Sequence, residues 1–534
     1  MASTAQASKL PPFTLLDEPL LSFSPSDSSQ VDAHPLRGLI NYGPYSKGSF
    51  GGFTAQVRIA TIGPESAFRR RGDLMVSLRG SHEPGDRSEY VPTYPGFEAL
   101  YRVNLEAAPA GAHIKWPDSL GQLPGKGDPQ ARLFQAMDAA LRRLDSLRNE
   151  FDVVLVHFPD SWLPVTRTKT FDAHDALKAL GAKYNTPTQV LNDRVFAFKY
   201  KASLAWRLAI ALYVKAAGTP WKLAPLKGVP DDTAYIGLAY ALRGEQRDAH
   251  YVTCCSQVFD MDGGGMQFVA FEARDPVADI AEARRNPFLT RDDMRAVLAR
   301  SLELYQARNG GNLPKRLVIH KTTAFKQEEI EGAFDALSSV PEIECVEVGA
   351  ASCWRGVWLI PSGRPKPPSK PAGYPVPRGT VVVRSGNSAL VWVAGNAPGV
   401  SNTGNYYQGK KSIPKPLQLV RHAGSGPLEL VASEVLALTK MDWNNDALYD
   451  PVPVSIRYSQ RLARTIANVP DLPGSVYPLS TLHVALTLRT WRAPAVGAPT
   501  AFSRLLSRGY HAERRAAGAT PLPVPVSPEH WEGT

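Results

Sequence analysis

From Gln130 onward the apolar positions follow two alternating rhythms. Leu133, Phe134, Met137, Leu141 and Leu144 recur at the spacing of one helix face. Val153-Val154-Leu155-Val156 follows as a continuous apolar run, the mark of a parallel strand covered on both faces. A helix over about 172–180, a turn at Asn185-Thr186-Pro187, a short strand near Val190 and a longer helix over about 199–216 continue the series. Strand and helix in this order predict a Rossmann-like domain. Residues 57–62 read as an earlier buried strand.

After Pro220-Trp221 the rhythm changes. Residues 235–242, 251–259 and 266–272 read as three strands with short links, the second link being Gly263-Gly264-Gly265. A helix over about 292–307, a strand at 317–320 and a helix over about 327–337 come next, an order that resembles a ribonuclease H-like core. A Pro-rich loop at 361–377 interrupts this half. Strands at 380–384 and 389–393 resume it, and a helix near 455–466 closes it. The fold class expected is α/β, a Rossmann-like domain followed by a ribonuclease H-like one. The boundaries expected are a disordered N-terminus at 1–12, the first domain with its leading segment at 13–225, the second at 226–479, and a low-complexity extension at 480–534.

Composition narrows the function. The 534 residues are 43% hydrophobic and 21% charged, as in globular chains. Sixty Lys and Arg against 50 Asp and Glu leave a net charge of +10, which favours polyanionic partners. No stretch of about 18 apolar residues is present, so no membrane span is expected. Four cysteines without a CxxC pair argue against zinc, and Cys254-Cys255 read as buried thiols; a reducing cytoplasm is the expected location.

One set of residues suggests a phosphate pocket. His174 and Lys178 are four apart on a predicted helix, Gln189 follows the tight turn at 185–188, and Lys215 lies near the end of the next helix. Together they supply the several charge-assisted donors that a phosphate dianion needs. Taken alone, a His/Lys pair at this spacing is most often a solvated helix face. Two weaker basic signals are Arg69-Arg70-Arg71, read as a solvated loop, and Lys410-Lys411 after Tyr406-Tyr407.

The strings His174-xxx-Lys178, Asn185-Thr186-Pro187-Thr188-Gln189 and Val214-Lys215 before Gly218-Thr219-Pro220-Trp221 resemble the MID domain of Argonaute proteins. Tyr235-Ile236-Gly237-Leu238-Ala239, Val318-Ile319-His320-Lys321, Met441-Asp442-Trp443-Asn444 and Pro453 to Gln460 resemble PIWI segments, in the family's order. The Glu18-Pro19 to Gly43-Pro44-Tyr45 stretch resembles the start of short prokaryotic Argonautes. The resemblance implies that His174, Lys178, Gln189 and Lys215 hold the 5′-phosphate of a small guide RNA that pairs with single-stranded target DNA. It implies an inactive PIWI domain, because Ala239, Thr322 and Gln460 stand where metal-binding side chains belong, and alanine cannot ligate a metal. Asp260 and Asp262 are better explained as turn residues than as substitute ligands.

An inactive member of this kind implies a partner. The expected partner is an APAZ-domain protein carrying a TIR or SIR2-type NADase or a nuclease, released on target binding to kill an invaded cell. A Mg²⁺ at the guide 5′-phosphate is a further implication, set against an extension of 55 residues where the family's terminal carboxylate would lie. Two other readings stay open: an active guide-dependent endonuclease with rearranged ligands, and a basic nucleic-acid binder that needs no guide.

Overall fold

A computed structural model describes residues 12–468 except 49–55, 124–126, 170, 244–249, 259–265, 277–279, 352, 358, 361–369, 372–374, 402–404, 409–412 and 444–445. Residues 1–11 of the N-terminus expected to be disordered, the tail at 480–534, Asp260, Asp262, the triple glycine and Lys410-Lys411 therefore lie outside the described residues, as does most of the Pro-rich loop.

The N-terminal half is a parallel sheet wrapped by helices. Its elements are β1 (Gln56–Pro64), α1 (Phe68–Arg79), β2 (Asn104–Ala107), β3 (His113–Trp116), α2 (Pro129–Asp145), β4 (Val153–His157), α3 (Ala173–Lys183), β5 (Thr188–Leu191) and α4 (Lys201–Lys215). The order across the sheet is β2-β1-β4-β5, with β3 pairing the second half of β1. Every residue of β4 is buried, as its unbroken apolar run requires of a strand covered on both faces. Aspartates start the helices: Asp128 accepts from Gln130 N at 2.9 Å, and Asp172 accepts from His174 N at 2.9 Å and Asp175 N at 3.2 Å. The arginine run at 69–71 is a correction: it lies in α1 rather than a loop, and Arg71 is buried while its two neighbours are exposed.

The C-terminal half is one nine-stranded mixed sheet. It begins with the antiparallel meander β6 (Thr233–Arg243), β7 (His250–Val258) and β8 (Met266–Pro276). Helix α5 (Arg291–Arg308), β9 (Arg316–Lys321), α6 (Gln327–Ala336) and β10 (Glu342–Ala350) follow, with β9 parallel to β6 and β10 parallel to β9. The order β8-β7-β6-β9-β10 is the ribonuclease H-like arrangement that the pattern predicts. Beyond β10 come β13 (Leu417–Ala423), β12 (Ser388–Val391) and β11 (Thr380–Ser385), with Thr14–Leu15 at the edge. Two helices end the described chain, α7 (Leu428–Leu438) and α8 (Val454–Asn468).

Strand alternation sorts the sheet into two faces. Ile236, Leu238, Leu317 and Ile319 pack with α5 and α6. Tyr235, Ala239, Val318 and Val346 face α7 and α8, and their cluster runs on without a break into Trp206 and Leu212 of α4 in the other half. Helix α8 lies close on β6 because residue 237 is glycine: a Cβ there would sit 1.9 Å from the Ser455 carbonyl oxygen. His320, opposite Gly237 in the register, seals this contact with a 2.8 Å hydrogen bond to Ser455 Oγ.

Buried ions tie the leading segment to the second half. Lys440 Nζ donates to Glu18 Oε1 at 2.7 Å and to the Pro19 and Ala33 carbonyls at 2.8 and 2.6 Å. Arg378 Nε donates to Glu18 Oε2 at 2.8 Å. Burial alone would raise the Glu18 carboxyl, but Arg378 and Lys440 outweigh it and hold the group below its usual value. Glu18→Ala strands two buried cations, so it should lower unfolding free energy by about 3–5 kcal/mol. Urea denaturation of both proteins checks this; a change within error would mean that the cations repair themselves.

Candidate nucleic-acid site

The site lies where α3 and α8 run side by side. Asp172 starts α3 and thereby fixes which side chains follow it: His174 on the first turn and Lys178 one turn later. Helix α8 brings Arg461 and Arg464, three residues apart, from the other half of the chain. Arg464 Nε lies 3.9 Å from Asp175 Oδ2, and Arg461 is held by Asp442 through bonds of 3.0 and 3.3 Å.

Of the four residues expected from the sequence, His174 lines an open cleft of about 540 Å³. The cleft is walled by the 158–160 and 166–169 segments, the N-terminus of α3, Val190–Asn192 and Arg464. Its volume falls in the range of about 300–1,000 Å³ usual for small-molecule sites. Lys178, Gln189 and Lys215 are not in the cleft wall; they lie behind it. Gln189 Nε2 donates to the Val190 carbonyl at 3.1 Å. Lys178 is half-buried, and its Nζ donates to the Thr188 carbonyl at 2.7 Å. Burial lowers its pKa to about 8; Asp175 opposes this and Arg461 adds to it.

Lys215 is the unusual member. It ends α4, is only 3% exposed, and makes no hydrogen bond or ion pair among the described residues. Burial pushes its ammonium well below the ordinary lysine value, and the charges of Lys178 and Arg461 push the same way, against Asp442. Three cations thus lie together, with Asp442 paired to Arg461 and Asp175 acting on Lys178, while Lys215 has no ion pair among the described residues. In an apolar interior this is unfavourable unless an anion joins it.

The sequence reading missed Arg461 and Arg464. Their signal was weak: arginines three apart on an amphipathic helix are ordinary until the helix is known to pack against α3. The structure also brings Asp172, His174 and Asp175 together, with ligand atoms within 4.8 Å of one another, the single such group among the described residues. Asp172 is already engaged as the helix cap, and Asp175 lies between His174 and Arg464.

The three positions that the resemblance assigned to metal ligands are also placed. Leu238 pairs with Lys321, so Ala239, midway along β6, comes beside Thr322, the residue just past β9. Ala239 is buried, and Gln460 is exposed on α8.

No protein-family model matches the chain. Protein argonaute of Cereibacter sphaeroides (strain ATCC 17025 / ATH 2.4.3) is 20% identical over 482 residues, covering 85% of this chain and 56% of that protein. Clostridium butyricum Argonaute, solved with a guide DNA and a 19-mer target DNA, superposes with a TM-score of 0.60 at 17% identity, over 88% of this chain and 54% of the other. Aa-Ago, solved with externally bound siRNA, gives 0.54 at 12% identity, over 85% and 54%. The fold is that of the Argonautes. The chain spans about half the length of each of these Argonautes, and its two halves match the MID–PIWI arrangement. No described helix is long and apolar enough to cross a membrane.

The buried lysines give this Argonaute-type fold a pH signature. Lys178 titrates at about 8 when folded and nearer 10.5 when unfolded, so between these values the unfolded chain holds more protons. Its contribution therefore makes the protein more stable as pH rises through that window. Lys178→Met should remove this increment, which melting temperatures of both proteins across the window would reveal. Parallel curves for the two would show that Lys178 is not buried as described.

Proposed function

We propose that the chain is the guide-binding subunit of a short prokaryotic Argonaute system. In this reading it holds a 5′-phosphorylated small RNA and presents it to complementary single-stranded DNA of plasmids or phage. Base pairing reads the sequence and the protein holds the backbone. The supporting observation is Lys215, 3% exposed and with no side-chain hydrogen bond or ion pair among the described residues, beside the charges of Lys178 and Arg461. A phosphate dianion would neutralise that cluster, with His174 and Gln189 supplying further donors.

The cations also bear on the metal. A Mg²⁺ at the phosphate would have Asp172 and Asp175 as nearby carboxylates, and both are already engaged. The ion would add positive charge where Lys178, Lys215 and Arg461 already supply it, so phosphate binding is proposed to need no divalent ion. The C-terminal half is proposed to be catalytically inactive, since a two-metal centre needs carboxylates to offset the repulsion between its ions, and Ala239, Thr322 and Gln460 supply none. Signalling then falls to a partner, proposed to be an APAZ-domain effector of TIR, SIR2 or nuclease type, in a cytoplasmic heterodimer that kills the invaded cell.

Affinity for 5′-phosphorylated and 5′-hydroxyl RNA tests the pocket. Lys215→Ala and Lys178→Ala should each weaken the phosphorylated guide by roughly 10- to 150-fold, the value of one charged hydrogen bond, with little effect on the hydroxyl form. EDTA should leave the wild-type preference intact. Equal losses for both guides would refute the assignment.

A second test concerns catalysis and partnership. The purified chain, given guide and matched target with Mg²⁺ or Mn²⁺, should yield no cleavage product. Coexpressed with the APAZ protein, it should elute as one complex carrying short RNA. Guide-dependent cutting by the chain alone would favour the endonuclease reading, and elution of the two proteins apart would remove the heterodimer.

A further inference from the structure

The whole net charge of the protein resides in one segment. Residues 348–428 contain ten Lys and Arg and no Asp or Glu, whereas the rest of the chain carries 50 of each sign. At the chain's average density roughly eight acidic residues would fall in such a stretch. The segment runs from the end of β10 through β11, β12 and β13 to the start of α7. It therefore forms one side of the nine-stranded sheet, away from the meander.

Structure separates its cations into two groups. Arg378 and Arg421 point inward, against Glu18 and Glu344 from elsewhere in the chain. Arg355, Arg384 and Lys415 are exposed. Arg384 and Lys415 form no ion pair among the described residues. The Arg384 guanidinium lies over the ring of Trp354, 5.5 Å from its centre, and that indole is 41% exposed. Ala351 N donates to the Pro416 carbonyl at 3.1 Å, which draws the Trp354-Arg355 segment and Lys415 toward the same strand ends. The result is an exposed, arginine-capped indole with exposed cations on a segment that itself supplies no carboxylate.

We infer that this surface binds the sugar–phosphate backbone of a single-stranded nucleic acid, with Trp354 as a stacking platform for a base. Phosphates meet the exposed Arg384 and Lys415, and a base meets an exposed indole flanked by the guanidinium that already stacks on it. An acidic protein would satisfy the charge alone. The exposed Trp354, Val357 and Ile413 also suit the apolar faces of bases and sugars.

The surface is separate from the cleft. Five strand spacings of about 4.8 Å separate β11 from β6, the strand beneath α8, or roughly 24 Å. A strand crossing from β6 to β11 alone would need about seven stacked nucleotides. The inference therefore deepens the proposed guide-binding role and rests on it only for the identity of the strand.

Salt dependence of oligonucleotide binding tests it. The probes are 5′-phosphorylated and 5′-hydroxyl single-stranded RNAs of about 18 nucleotides, with a 5′-phosphorylated trinucleotide as the short control. The combined variant Arg355→Glu, Arg384→Glu, Lys415→Glu should lower the slope of log affinity against log salt by about 2 for the long RNAs, three lost contacts at about 0.7 each. The trinucleotide should bind unchanged, and the affinity ratio of phosphorylated to hydroxyl RNA should persist. Trp354→Ala should weaken the long RNAs about fivefold or more. Should charge reversal unfold the protein, Gln at the same three positions gives the same comparison with a smaller slope change. Unaltered slope and affinity for the long RNAs in a folded variant would overturn the inference and leave an acidic protein as the occupant. Loss of the phosphorylated-to-hydroxyl preference in the wild type would refute the guide pocket instead, whatever the slopes.

Discussion

Helix α8 can lie on the central strand β6 only because residue 237 has no side chain. With a Cβ 1.9 Å from the Ser455 carbonyl oxygen, any other residue would lift the helix off the sheet. The rest of the candidate site depends on this close approach. Seated there, α8 carries Arg461 and Arg464 across to α3, joins the apolar cores of the two halves, and leaves Ala239 covered rather than facing solvent. One hydrogen atom in place of a methyl group thus decides where cations from the second half meet those of the first.

The charges are handled in three different ways. Glu18, Arg378 and Lys440 neutralise one another in the interior and fasten the leading segment. Asp446 accepts from Arg87 and Arg207 and links the halves a second time. Around Lys215 the balance is missing: two further cations and a single carboxylate surround a buried ammonium. Protein interiors neutralise buried charge wherever folding alone is at stake. That imbalance is what the phosphate-binding proposal rests on, and burial is the first cause of the depressed lysine pKa values.

This division suits a protein that has the Argonaute fold but neutral side chains at the positions compared with catalytic acids. Binding requires cations held in place and desolvated before the ligand comes, so that little is lost to reorganisation. It does not require carboxylates at positions 239 and 322. The acid-free segment at 348–428 extends the same logic to the far side of the sheet, with cations left open to solvent instead of buried.

How much of this was legible in advance follows from the range of the forces involved. Periodicity is local, so β4, α3, α4, the meander and α5 could be placed within a few residues from the pattern alone, and with them His174 and Lys178 on one helix. The strand pairings that carry β10, β13 and α7 were not visible, because their partners are distant in sequence and their apolar runs are ambiguous between helix and strand. Arg71 looked like a solvated charge because a triplet of arginines says nothing of which one turns inward. The residue types at positions 239, 322 and 460, and the cationic character of the lysines proposed to bind phosphate, belong to the sequence itself. That Lys215 is buried with no ion pair among the described residues, that Arg461 stands beside it and that Arg464 reaches Asp175 was decided only by tertiary packing, since desolvation and the approach of charges from another helix exist only once α8 has settled on Gly237.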